Sequence, residues 1–228
     1  MTGTNSEPTT AVRNLDLRRM SLIAAPVVLL VTTYLAFRAL MALLGVGVGF
    51  FAGMVFYWVI WCLAFPLWAV GAGELREAFR NVPPRVGPRP WMGWMLLAIP
   101  VAMAVSAGAM ESWGEATPLI VLASIPFALV NGTLEELLWR GTYVRAFPEH
   151  RVLGFLYPSF GFAIWHLAPV LNLSHYYTPA WMVAGIVASL ILGLCWGWVA
   201  WRTGSIRWVA VSHILVNLGL LSPIVFLG

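Results

Sequence analysis

Two adjacent acids, two histidines and an asparagine stand inside apolar runs of this chain: Glu135 with Glu136, His166, and His213 with Asn217. A charged side chain at the centre of a bilayer costs about 2.5–3.5 kcal/mol on insertion scales, so ionisable groups at that depth point to function by default. Glu136 and Arg140 are four residues apart with the acid N-terminal to the base, the favourable order for a helical ion pair. Arg140 then neutralises Glu136. Glu135 points about 100° away around the helix and lacks that partner, which leaves its carboxylate available to take a proton from water. Phe162 and His166 share one helix face, and His213 and Asn217 project from another as a stacked donor and acceptor. Together they supply a general base, imidazoles that move or orient protons, and donors for a developing oxyanion, which are the parts for hydrolysing an acyl bond. Neither a hydroxyl nor a thiol nucleophile has a place in the set, so attack by activated water is preferred to a covalent intermediate.

Each group also has a plainer reading. The glutamates could end their helix at the head-group boundary, but Leu134, Leu137, Leu138 and Trp139 continue the apolar pattern around them. The interface signal of Arg145, Pro148, Glu149 and Arg151 comes one to three turns later. A lone buried histidine such as His166 is often structural, and Ser212 with Asn217 could serve as polar glue between helices. Cys62 and Cys195 lack metal-binding or CxxC spacing and read as small buried hydrophobes.

The elements that must position these groups are membrane spans. Of 228 residues 61% are hydrophobic and 10% charged, against roughly 45–50% and 25% in a soluble domain, which excludes a soluble fold. Hydropathy and punctuation predict an all-α, polytopic transmembrane helical bundle of about seven spans, near 21–44, 48–71, 92–110, 117–145, 152–171, 180–201 and 206–226. Residues 1–20 read as a cytoplasmic disordered tail, 21–116 as N-terminal spans with a cytoplasmic loop, and 117–228 as the core that carries the chemistry. Within the loop from Gly71 to Pro90, the ELREAFR segment suggests a short surface helix.

All 13 basic residues are arginine, and with the N-terminus cytoplasmic, all but Arg38 fall at the cytoplasmic ends of spans. Arg38 sits near the end of the first span, within reach of the interface. Spaced between apolar runs, these arginines report orientation rather than nucleic-acid binding, so no nucleic-acid partner is expected. Glu135 lies roughly 26 Å along its helix from Pro118, in the cytoplasmic third of the membrane. Counting from Arg151 puts His166 roughly 22 Å deep, whereas counting from Arg207 puts His213 only about 9 Å deep. For the two to meet, residues 152–157 should lie along the interface or the fifth helix should bend at Pro158.

The ordered segments EELLWRG, FAIWH and RTGSIRWVAVSHILVN resemble the signatures of the CAAX-processing and bacteriocin-processing membrane proteases, the CPBP or Abi family. The resemblance covers roughly Pro118 to Leu221, and the first three spans match only in being hydrophobic. It implies an intramembrane endopeptidase similar to type II CAAX prenyl endopeptidases, in which Glu135 and His166 activate water while His213 and Asn217 line the oxyanion site. Glu136 and Arg140, with Phe162, would shape the pocket. It further implies membrane lipid as a partner and a peptide or membrane-protein substrate, with lipidation of that substrate left open. The setting it suggests is a prokaryotic plasma membrane, the site facing the cytoplasm.

No cofactor is required in this reading. A zinc-dependent version would use Glu135, His166 and His213 as ligands, though no HExxH arrangement is present. A non-catalytic bacteriocin-immunity or scaffold protein would share the fold. A transporter would also use carboxylates at membrane depth, but no internal repeat supports one.

Overall fold

The computed structural model describes residues 10–111, 113–175 and 177–221. The tail over residues 1–9, the end of the last span beyond Leu221 with Pro223, and the side chains of Arg13, Glu111 and Glu115 lie outside the described residues. Among the described residues the chain is helical throughout: α1 (Thr10–Leu44), α2 (Val46–Ala69), α3 (Ala72–Ala78), α4 (Trp91–Glu111), α5 (Pro118–Ala146), α6 (Val152–Asn172), α7 (Pro179–Thr203) and α8 (Arg207–Leu220). Six helices, α1, α2 and α4 to α7, are long and apolar enough to cross a membrane, and α8 is a shorter apolar helix. With α8 they make up the seven spans expected from hydropathy. The short helix expected at ELREAFR is α3, which buries Leu75 and Ala78.

Burial is inverted relative to a soluble protein, because lipid rather than water surrounds the bundle. Leu43, Val27, Leu122 and Met110 are exposed, while Glu135, Glu136 and Arg140 are among the most enclosed side chains. Helices in lipid associate by close packing rather than by hydrophobic exclusion, so small residues decide where backbones approach. Gly132 is such a point: a Cβ there would come 2.8 Å from the Ile214 amide nitrogen, so glycine lets α5 and α8 meet beside the two glutamates. α5 and α7 begin alike, with proline at the first helical turn and a threonine cap, Thr117 accepting from Ile120 N and Thr178 from Trp181 N.

Three stretches are π-helical: Tyr57–Ala64 in α2, Leu137–Thr142 in α5 and Val152–Leu156 in α6. A π turn is wider than an α turn and recurs at functional sites. In α5 the widened turn follows directly on Glu136, and Thr142 Oγ1 donates across it to the Leu137 carbonyl at 2.8 Å.

The bend expected at Pro158 is absent: the α-helical part of α6 begins at Tyr157 and carries Pro158 in its first turn, where a missing N–H costs nothing. The interruption comes instead at His166, three residues before Pro169, whose ring and absent N–H disturb the ladder just N-terminal to it. At the arginine-rich end, Ile206 N donates to Ala78 O at 2.7 Å, Ser205 Oγ to Arg80 O at 2.7 Å and Arg80 Nη2 to Thr203 O at 3.1 Å. These bonds hold the segment after α3 against the α7–α8 turn.

Candidate active site

The two adjacent glutamates diverge as their spacing predicts. Glu136 Oε1 accepts from Arg140 Nη1 at 2.8 Å and from His213 Nδ1 at 2.8 Å, which ties α5 to α8 through one oxygen. Glu135 turns the other way, its Oε2 lying 3.4 Å from His213 Nε2 and 3.4 Å from Asn131 Nδ2. A carboxylate only accepts, so His213 carries its proton on Nδ1 toward Glu136 and presents Nε2 to Glu135. Two carboxylates and one guanidinium leave this buried group one positive charge short. A single proton shared between Glu135 Oε2 and His213 Nε2 balances it, and unbalanced charge in so enclosed a place is costly.

Aromatic walls fix the charged groups. The Arg140 guanidinium carbon lies 4.2 Å from the Phe162 ring centroid and 5.4 Å from that of Trp196, so the cation is faced by two π-surfaces. Trp196 also stacks on His213, with centroids 4.4 Å apart and planes 25° apart. Its Nε1 donates to Ser212 Oγ at 2.9 Å, and that hydroxyl donates to the Leu97 carbonyl of α4 at 2.7 Å. Ser212 is thus the interhelical glue that its position allowed. Asn217 is buried one turn beyond His213 on the same helix.

His166 owes its orientation to the helix interruption. Its amide turns to the Ala163 carbonyl at 3.2 Å, and its own Nδ1 takes the Phe162 carbonyl at 2.8 Å. A carbonyl cannot donate, so the proton sits on Nδ1 and the Nε2 lone pair is available as an acceptor. The mismatch in depth between the histidines is bridged by Phe162, whose ring lies 4.7 Å from His166 and 6.1 Å from His213, edge-on to each. The expected residues are therefore gathered about one aromatic ring. Among the described residues no three His, Cys, Asp or Glu side chains are grouped as metal ligands. Both nitrogens of His213 face carboxylates, an arrangement that does not fit the three-ligand zinc set of Glu135, His166 and His213.

The π-helical stretch of α2 adds residues that sequence reasoning missed. Tyr57 is fully buried, stacks on Trp165 with centroids 4.1 Å apart, and accepts a hydrogen bond from Trp139 Nε1 at 2.8 Å. Its hydroxyl is in electrostatic contact with Glu135. Trp Nε1 is a donor only, so the phenolic proton is left to point elsewhere, and the neighbouring carboxylate is an acceptor for it. Beside it, Trp58 Nε1 donates to Asn131 Oδ1 at 2.9 Å, which turns the Asn131 amide toward Glu135. The available signals were a tyrosine in mid-span, away from the aromatic belts at helix ends, and an asparagine four residues before Glu135. Glu135 Oε1, Glu136 Oε2, Arg140 Nε and Arg140 Nη2 are buried without a hydrogen-bond partner among the described residues, so the site retains unmet polar capacity.

Residues 117–219 match the family model described as type II CAAX prenyl endopeptidase, Rce1-like. The match spans every residue of the cluster except the α2 pair Tyr57 and Trp58. Compared with curated proteins and with solved structures, the chain matches none.

Proposed function

With the Rce1-like family match of its C-terminal half as premise, we propose that the chain is an intramembrane endopeptidase that cleaves its substrate with water activated by Glu135. The observation that carries this reading is the opposition of Glu135 Oε2 and His213 Nε2 at 3.4 Å, inside a cluster whose other charges are already paired. Glu135, as carboxylate, takes a proton from a water while the oxygen of that water attacks the peptide carbonyl carbon. His166 Nε2 accepts the water's second hydrogen and sets its direction. The tetrahedral oxyanion is met by donors from His213 and Asn217. Collapse breaks the C–N bond, and Glu135 returns its proton to the departing amine. Glu136 and Arg140 hold the His213 ring, and Tyr57 and Asn131 orient the Glu135 carboxylate from its other side.

The arginine distribution supports an orientation with the N-terminus and the nearer mouth of the site on the cytoplasmic side of a prokaryotic plasma membrane. The substrate is then a peptide or membrane protein approaching from the cytoplasm or inner leaflet, with lipid as the surrounding partner. A lipidated chain terminus is the substrate that the family suggests. The mechanism needs no metal.

The test compares membrane and secreted peptides from cells carrying the wild-type chain and the Glu135→Gln variant. A cleavage product present in the first and lost in the second is expected, with turnover down about 10²- to 10⁴-fold. Identical peptide inventories overturn the reading and favour a non-catalytic immunity or scaffold role, which the variant would preserve. Loss of cleavage on chelation, restored by zinc, would overturn the metal-free mechanism.

A further inference from the structure

Far from the acid–histidine cluster, two cations converge on a single indole. Arg151 immediately precedes α6 and Arg202 lies in the last turn of α7, so these antiparallel neighbours bring both to the same end of the bundle. Their guanidinium carbons lie 5.7 Å and 5.6 Å from the ring centroid of Trp198. Trp198 is itself wedged by Phe155 and Trp201, each with its centroid 5.5 Å away. The shelf under the two arginines is therefore rigid. Both arginines are exposed, and neither forms an ion pair among the described residues, whereas Arg140 and Arg145 each have a glutamate.

An exposed cation–π contact is worth about 0.5–1 kcal/mol, too little to explain why two like charges are gathered where they repel. An anion between them removes the repulsion. The pair stands where α6 begins and α7 ends, which is head-group depth in a bundle of spans of this length. The anion available at that depth is a phosphate, and planar guanidinium forks match phosphate oxygens in pairs. We infer that Arg151, Trp198 and Arg202 form a binding site for the phosphate of an anionic phospholipid. A zwitterionic lipid brings its own cation to the phosphate, so the site discriminates in favour of lipids with net negative charge.

The experiment is native mass spectrometry of the full chain released from detergent micelles doped with phosphatidylglycerol or phosphatidylcholine. A phosphatidylglycerol adduct about tenfold more abundant than the phosphatidylcholine adduct is expected. The double substitution Arg151→Gln with Arg202→Gln should bring the two lipids level. Arg202→Lys, which keeps the charge but loses the fork, should fall between, and covers the case in which the double variant does not fold. The double substitution Arg76→Gln with Arg85→Gln removes as much charge elsewhere on that face and should leave the preference in place. Equal adducts in the wild-type chain overturn the site. So does an unchanged preference in the Arg151 and Arg202 variants, or an equal loss in the Arg76 and Arg85 control. Displacement of the lipid by millimolar inorganic phosphate would overturn the assignment to a lipid.

Discussion

Two arginines of α5, five residues apart, each meet a glutamate, and the two pairs differ in what surrounds them. Arg140 pairs with Glu136 inside the bundle, where the side chains are 1% and 0% exposed. Arg145 reaches Glu74 of α3 at the surface, where the exposures are 24% and 49%. Water screens the outer pair and can replace either partner, so its net contribution is small. The inner pair has no such replacement. Its strength comes from geometry, with Phe162 and Trp196 facing the cation and His213 sharing the anion's oxygen. The same two residue types thus act as a surface clasp in one place and as the frame of the candidate active site in the other.

Substitutions that break one pair at a time sharpen this contrast. The largest effect is expected from Arg140→Ala, which strands Glu136 among apolar walls and should cost about 3–5 kcal/mol, read as loss of folded protein or a lowered unfolding midpoint in micelles. Removing Glu136 as well should recover part of that loss; a loss no larger than that of a surface substitution would erase the distinction between the pairs. Next comes Tyr57→Phe, which keeps the ring on Trp165 but leaves Trp139 Nε1 without its acceptor, at about 1–3 kcal/mol. If Tyr57 also orients Glu135, cleavage should slow in this variant at substrate saturation with KM little changed. The smallest effect belongs to Arg145→Gln, about 0–1 kcal/mol and diminishing as salt is raised. A salt-insensitive loss of several kcal/mol there would mean that the outer pair is not a surface pair.

The parts of the site that follow from one helix's own geometry were legible in the sequence. The spacing of Glu136 and Arg140 gave their pairing, and the angle between Glu135 and Glu136 gave their divergence. The seven spans followed from hydropathy alone, because lipid demands long apolar helices. Contacts between helices distant in sequence were not legible. Tyr57 enters the cluster only because α2 and α5 pack together there, and its neighbours in sequence are apolar. The Pro158 expectation failed for a related reason: proline position alone does not say whether the ring falls in a first turn, where it is tolerated, or after one, where it disrupts. Depth counted along single helices likewise set His166 and His213 apart. Phe162, lying between them, resolves that mismatch by filling the gap rather than by moving either backbone.

The widened turn after Glu136 makes this molecule sensitive to the length of its chain as well as to its composition. A π turn holds one residue more than the α turn it replaces, so deleting one residue between Leu137 and Thr142 would let α5 close into an ordinary ladder. Everything downstream would then rotate by about 100° relative to the glutamates. Tyr143 would swing away from the Leu22 carbonyl that it reaches in α1, and Arg145 from Glu74. A shortened gene product with every named side chain still present could therefore be assembled out of phase, its acids and its outer clasp no longer in register.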